Sequence, residues 1–335
     1  MTRRGWLSAA AAGVLLVAGA GGWLLFRSPG PTTYSNPVLH HDAPDPSVIE
    51  ATDGEYFAYT TQSNWPVLKR IPVLTSHDLV HWKLAGDAFP DNADWVTEDV
   101  WAPHIARIDG RYLLYYAARQ YGQGDFAIGV ASSDSPTGPF RDKGRPLIEG
   151  RGYVAIDPFV LTAGGRSYIY WGSDGAPIRA QRLTTDGMDV VGRPRALLYP
   201  VDGGGYESLV EGAWVVRHDD YFYLMYSGDA CCEPDPHYAV MVARSRSPLG
   251  PFEKDEDGPI LAANKEFLGP GHNATIRDSA GQDWIVYHAF ERGDVIGNRY
   301  LFLDPIEWVD GWPVINGGKG PSSGPQGAPV TGASG

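Results

Sequence analysis

One pattern recurs five times along the chain and constrains most of what it can become. A polar or aromatic residue leads a short apolar run, a turn of Asp, Gly, Arg or Ser follows, and an aromatic-rich run begins eleven or twelve positions after the lead. The leads are Asp45, Trp101, Asp157, Glu211 and His272, and the aromatics that answer them are Tyr56, Tyr112, Tyr168, Phe222 and Trp284. An apolar run, a polar turn and a second aromatic run are the signature of a β-hairpin. Successive leads stand 56, 56, 54 and 61 residues apart, a period that points to propeller-type repeats. The expected fold is therefore all-β, a five-bladed β-propeller. The first strand of each blade lines the channel of a propeller, so this register sets all five leads around one axial cavity.

The rest of the chain fits that reading. With 42 Gly and 27 Pro in 335 residues and no sustained helical heptad, many short strands joined by tight turns are expected. The propeller is assigned to residues 31–316, as a monomer. A net charge of −13 argues against nucleic acid or an anionic membrane surface as partner, because phosphate binding needs clustered basic residues. A neutral, polyhydroxylated ligand suits the chain better.

Both ends read as something other than the propeller. Arg3-Arg4 is followed by an apolar stretch from Gly5 to Phe26, with Ala18-Gly19-Ala20 as a small-residue cleavage site, so residues 1–30 read as an export signal. The same stretch is long enough to stay as an N-terminal membrane anchor. The protein is thus expected to be secreted or held on the outer face of the cytoplasmic membrane. Residues 317–335, rich in Gly, Ser and Pro, are expected to be a disordered tail. The only two cysteines are the adjacent Cys231 and Cys232, which read as a vicinal disulfide or as two buried thiols.

The leads carry the chemistry. An Asp-Pro pair alone is an ordinary strand-entry turn, but here Asp45, Asp157 and Glu211 share one frame, and clustered carboxylates persist where raised and separated pKa values are useful. Breaking a glycosidic bond needs one carboxylic acid to protonate the departing oxygen and one carboxylate to handle the nucleophile. Asp42 competes with Asp45, and Asp202 and Glu207 with Glu211; all three competitors fall outside the frame. Trp101 reads either as a core aromatic or as a flat face for a sugar ring. His272, after Gly269-Pro270-Gly271, reads as a metal or water-network residue at the channel centre or as a satisfied buried group. The other histidines show no zinc spacing. SSDSPTGPF from Ser132, SRSPLGPF from Ser245 and TSHDLVHW from Thr75 read as outer-blade turns.

DPSVI from Asp45, IDPFV from Ile156 and EGAWV from Glu211, together with WAPHI from Trp101, Tyr287-His288 and the closing WVDGWPVIN from Trp308, resemble the family 43 glycoside hydrolases of plant cell-wall breakdown. The resemblance runs from about Asn36 to Ile315. It implies Asp45 as general base, Glu211 as general acid and Asp157 as the residue that raises and orients the acid, in a single-displacement, inverting hydrolysis. It further implies Trp101 under the sugar, with Arg292 or Arg299 on its hydroxyls, and His272 holding calcium partly through water. The paired cysteines and GPGHN from Gly269 are closest to arabinan-degrading members, with arabinoxylan, xylo-oligosaccharides or glycan binding without catalysis as the other outcomes.

Overall fold

The computed structural model describes residues 31–332 apart from 52–53, 123, 204, 233 and 295–296. The segment read as signal or anchor lies outside the described residues. Among those described, no helix is long and apolar enough to cross a membrane.

Five antiparallel sheets follow one another along the chain. Blade 1 is Ser47–Glu50, Tyr56–Tyr59, Pro72–Ser76 and Lys83–Asp87. Blade 2 is Val96–Ile108, Arg111–Gln120, Phe126–Ser133 and Arg141–Asp142. Blade 3 is Phe159–Ala163, Arg166–Trp171, Ile178–Leu183 and Val190–Leu198. Blade 4 is Glu211–His218, Tyr221–Ala230, His237–Ser245 and Glu253–Lys254. Blade 5 is Phe267–Arg277, Asp283–Glu291, Tyr300–Val309 and Trp312–Ile315. The innermost strands touch in ring order, with blade 5 meeting blade 1. The five-bladed propeller follows from the repeat as expected.

The core is divided among the gaps between blades, with a separate apolar cluster between each neighbouring pair. That division explains the aromatic second strands. A tyrosine buries a large apolar ring and still carries a hydroxyl that must find a partner, and the next blade supplies it. Tyr59 of blade 1 donates to the Pro136 carbonyl of blade 2, Tyr115 of blade 2 to Gly187 of blade 3 at 2.9 Å, and Tyr170 of blade 3 to Pro248 of blade 4 at 2.6 Å. Pro136 and Pro248 belong to the two Pro-Gly segments read as outer turns, which thus serve as blade-to-blade latches.

The repeat frame needs one correction. Val48, Ile105, Val160, Val215 and Thr275 pair with the middles of their second strands, at Ala58, Leu114, Ile169, Leu224 and Ile285. Three residues back from each lies a residue with positive φ: Asp45 at 54°, Ala102 at 45°, Asp157 at 59°, Gly212 at 59° and His272 at 44°. These five are equivalent. Trp101 and Glu211 therefore stand one residue ahead of the true frame, where register shifts break the pairing of their strands. Leads counted as one ring form two layers.

The tail is also corrected. Gln326–Gly327 pairs antiparallel with Thr33–Tyr34, Ser322 is buried with its N–H on Asp304 Oδ2, and Val330 bonds Asp278 and Ser279 through its backbone. The expectation of disorder counted apolar side chains, of which the segment has few. Backbone hydrogen bonding holds it instead. The incoming chain closes the ring beside it, with Val38 N–H on the Leu301 carbonyl and Ala43 N–H on that of Arg299.

Candidate active site

At four of the five inner strands the left-handed turn swings its N–H toward the preceding blade, and that donor needs an acceptor. Asp45 N–H donates to His288 Nδ1 at 3.1 Å, Ala102 N–H to Thr61 Oγ1 at 2.7 Å, Gly212 N–H to Asp157 Oδ2 at 2.9 Å and His272 N–H to Ser227 Oγ at 2.8 Å. Every acceptor comes from the preceding blade. Positive φ is uncommon outside glycine and costs roughly 1–3 kcal/mol where it is not relieved; Asp and His tolerate it better than most. The fold thus accepts conformational strain at the heads of its inner strands, Asp45 and Asp157 among them.

A cavity of about 710 Å³ opens at this end of the channel, lined by Asp45, Trp101, Asp157, Glu211, His272 and Arg299 among others. The three acids are brought together as expected. His272 Nδ1 stands between two of them, 3.6 Å from Asp45 Oδ1 and 3.7 Å from Asp157 Oδ2. Trp101 lies one layer up and stacks with Tyr153, ring centres 6.0 Å apart and planes 6° from parallel, and against Phe126 at 4.4 Å. It is both a wall of the cavity and part of a small aromatic cluster.

Asp45 is buried, which alone would raise its pKa. Arg299 Nη1, at 2.9 Å on Oδ1, leads the influences that outweigh that burial and hold the carboxyl well below the usual carboxylate range. Thr61 donates to its second oxygen at 2.6 Å. Since Thr61 Oγ1 already accepts from Ala102, its own proton is committed to Asp45. His288 accepts from the Asp45 N–H through Nδ1, so it is neutral, and burial pushes it down to about 4.

Asp157 and Glu211 behave in the opposite way. Burial, then the charges of Glu211 and Asp45, push Asp157 well above the usual range. Burial also raises Glu211, against hydrogen bonds from Ser173 at 2.5 Å and Tyr238 at 2.8 Å. Repulsion between two carboxylates is mutual, so they titrate as one system that keeps a shared proton. Tyr238 reaches Glu211 because its ring lies flat over Gly271, where a Cβ would come within 2.1 Å of it.

One expectation about cations changes. Arg299 is on the cavity wall, bonded to Asp45, but Arg292 is not: its guanidinium donates to the carbonyls of Asn264 and Lys265 on the exposed outside of blade 5. It leaves its strand beyond Glu291, after the strand has passed the channel. For calcium, no group of three or more His, Cys, Asp and Glu side chains among the described residues could hold a metal ion. Asp45 is engaged by Arg299, and Asp157 Oδ2 by the Gly212 N–H. Calcium prefers six to eight oxygen ligands, so these residues do not form a cage for it, and an ion on His272 would draw its shell from water.

The chain between residues 34 and 313 matches the model of the glycosyl hydrolases family 43. The chain belongs to that family. Its relatives include arabinan endo-1,5-alpha-L-arabinosidase A of Aspergillus niger, 29% identical over 298 residues that cover 81% of this chain and 90% of the relative. Extracellular endo-alpha-(1->5)-L-arabinanase 1 of Bacillus subtilis (strain 168) is 28% identical, over 87% of this chain and 93% of its own. Among solved structures, a thermostable family-43 glycoside hydrolase superposes with a TM-score of 0.77 at 28% identity, covering 89% of this chain and all of the other. The family 43 protein is thus a glycoside hydrolase.

Sequence reasoning overlooked Thr61, Ser173 and Tyr238, and gave His288 no role of its own. Thr61 was within reach of it: the pairing Ser47 with Tyr59, carried two residues outward, sets Thr61 opposite Asp45. Ser173 and Tyr238 arrive from other strands and carry no local signal. Asp42, set aside on register, accepts the Arg299 N–H at 3.1 Å and so supports the residue that supports Asp45.

Proposed function

We propose that this family 43 enzyme hydrolyses arabinan, by single displacement with inversion. One feature carries the mechanism: at one cavity, Arg299 holds Asp45 ionised while burial and mutual repulsion raise Asp157 and Glu211. An ionised Asp45 takes a proton from the attacking water as Glu211 gives one to the leaving oxygen. Asp157 Oδ2 is committed as an acceptor from Gly212, whereas the Ser173 and Tyr238 hydroxyls can donate or accept; this supports placing the shared proton on Glu211. Trp101 offers its face to the sugar and Arg299 its remaining donors to the hydroxyls.

The substrate reading rests on the two relatives named above, both named for action on 1,5-linked arabinan, and on the acidic cavity, which suits a neutral polysaccharide. The Bacillus subtilis relative is named as extracellular, which supports action outside the cell; the reading as a secreted or anchored monomer rests on the sequence alone. His272 is the residue that would hold a calcium ion, through one nitrogen with water completing the shell. Product analysis on linear arabinan, branched arabinan, arabinoxylan and xylan tests the substrate. Release of arabino-oligosaccharides from linear arabinan is the expected result, and xylose or xylo-oligosaccharides as the main product would overturn it.

A further inference from the structure

Cys231 and Cys232 form a disulfide with each other, and both line the cavity. Cys231 is half-buried and Cys232 exposed. As a cross-link the bond has little to do, because the chain entropy that a disulfide removes grows with the loop it closes, and adjacent residues close the smallest loop there is. As a surface it is distinctive. It replaces two thiols by a rigid, polarisable apolar ledge with no hydrogen-bond demand of its own.

The ledge is held in place from both sides. Asp229, two residues before it, accepts from Ser208 and faces His237 Nδ1 at 3.2 Å, and His237 stacks on Tyr206 with ring centres 4.1 Å apart. The next residue is Tyr238, whose hydroxyl is on Glu211. Leu209, Asp229, Ala230, Cys231 and Cys232 therefore bound the cavity on the side of Glu211, whereas Trp101 and Tyr153 bound it from blade 2 and the connection after it. The general acid lies beside the leaving oxygen, so the sugar attached to that oxygen sits on the Glu211 side.

We propose that the Cys231–Cys232 disulfide is a specificity platform, on whose apolar face the C–H side of the leaving-group sugar ring packs. The proposal rests on the hydrolytic reading above and names the part of the site that distinguishes an oligosaccharide from a small aryl glycoside. It also makes affinity for the polymer sensitive to reductant while the acids stay untouched.

The test compares the wild type, the wild type in dithiothreitol and the double variant C231A/C232A on α-1,5-arabino-oligosaccharides and on an aryl arabinofuranoside. The expected result is a KM for the oligosaccharides about tenfold higher in the reduced and the doubly substituted enzyme. kcat/KM on the aryl glycoside should stay within about twofold, and reoxidation should restore the wild type. An oligosaccharide KM within twofold of the wild type overturns the platform. So does an equal loss on both substrates with an unchanged melting temperature, which would make the turn a support for Tyr238 and Glu211. A wild type inert on arabino-oligosaccharides but active on xylo-oligosaccharides removes the arabinan reading alone, and the same KM comparison on the xylo-series then decides the platform.

Discussion

Asp45 and Asp157 occupy the same place in two blades, each followed by Pro, each at positive φ and each buried, yet their surroundings push their pKa values in opposite directions. Around Asp45 stand Arg299, His272, His288 and the Thr61 hydroxyl. Around Asp157 stand Glu211 and Asp45, with one backbone N–H in compensation. The repeat supplies the position, and the neighbouring blade supplies the role. Three copies of one acidic lead would be useless as a catalyst; the asymmetry of their surroundings separates a base from an acid.

The largest effect that can break this comparison is removal of the base. Asp45→Ala should lose roughly 10³–10⁴-fold in kcat on every substrate, the upper range for a general base, because no other group activates the water. Glu211→Ala should lose about as much on arabinan but far less on an aryl glycoside whose leaving group needs little protonation. Steady-state kinetics of both variants on both substrates separates the roles. Equal losses in all four measurements would show that the two surroundings do not assign two functions.

How much of this was legible beforehand depended on what each feature answers to. Blade count and the three acids depend on local pattern, so the period and the Asp-Pro and Glu-Gly leads exposed them. The frame itself was off by one at Trp101 and Glu211, because the aromatics it was counted from are not equivalent: Tyr168 pairs four residues past Asp157, whereas Tyr112 and Phe222 pair five past Ala102 and Gly212. The charge states were hidden for another reason. They depend on Arg299 and His288, which lie more than 240 residues from Asp45 in sequence and meet it only when blade 5 closes on blade 1. The tail misled because its hydrogen bonds are backbone ones, to which composition is blind.

A smaller effect sharpens the pair. Asp157→Asn removes the carboxylate that repels Glu211 and should lower kcat about 10²-fold on arabinan. It should also move the basic limb of the kcat/KM profile to lower pH. The sign follows from the pair: a neighbour's negative charge makes Glu211 hold its proton to higher pH, so without it the acid is spent earlier as pH rises. The acid limb reports Asp45, whose pKa is held down mainly by Arg299 against burial, and should move far less. A variant whose basic limb stays in place would mean that burial alone sets the acid, and Asp157 would then be a positioning residue.

The smallest expected effect concerns His272, which faces both acids and belongs to neither role. Its pKa is lowered by burial in spite of the attraction of Asp45, which favours the neutral imidazole. It lies 3.6 Å from Asp45 and 3.7 Å from Asp157, beyond direct hydrogen bonding, which leaves room for an ordered water or a hydrated ion to mediate. His272→Ala should therefore cost less than about tenfold in kcat, a loss of the size of one or two such hydrogen bonds, and leave both limbs of the pH profile nearly in place. Prolonged chelation of the wild type should reproduce that loss, and calcium should reverse it. A wild type indifferent to chelator points to water alone. A variant that instead loses a limb of its pH profile makes His272 a titrating member of the site, and the division of labour between Asp45 and the Asp157–Glu211 pair would have to include it.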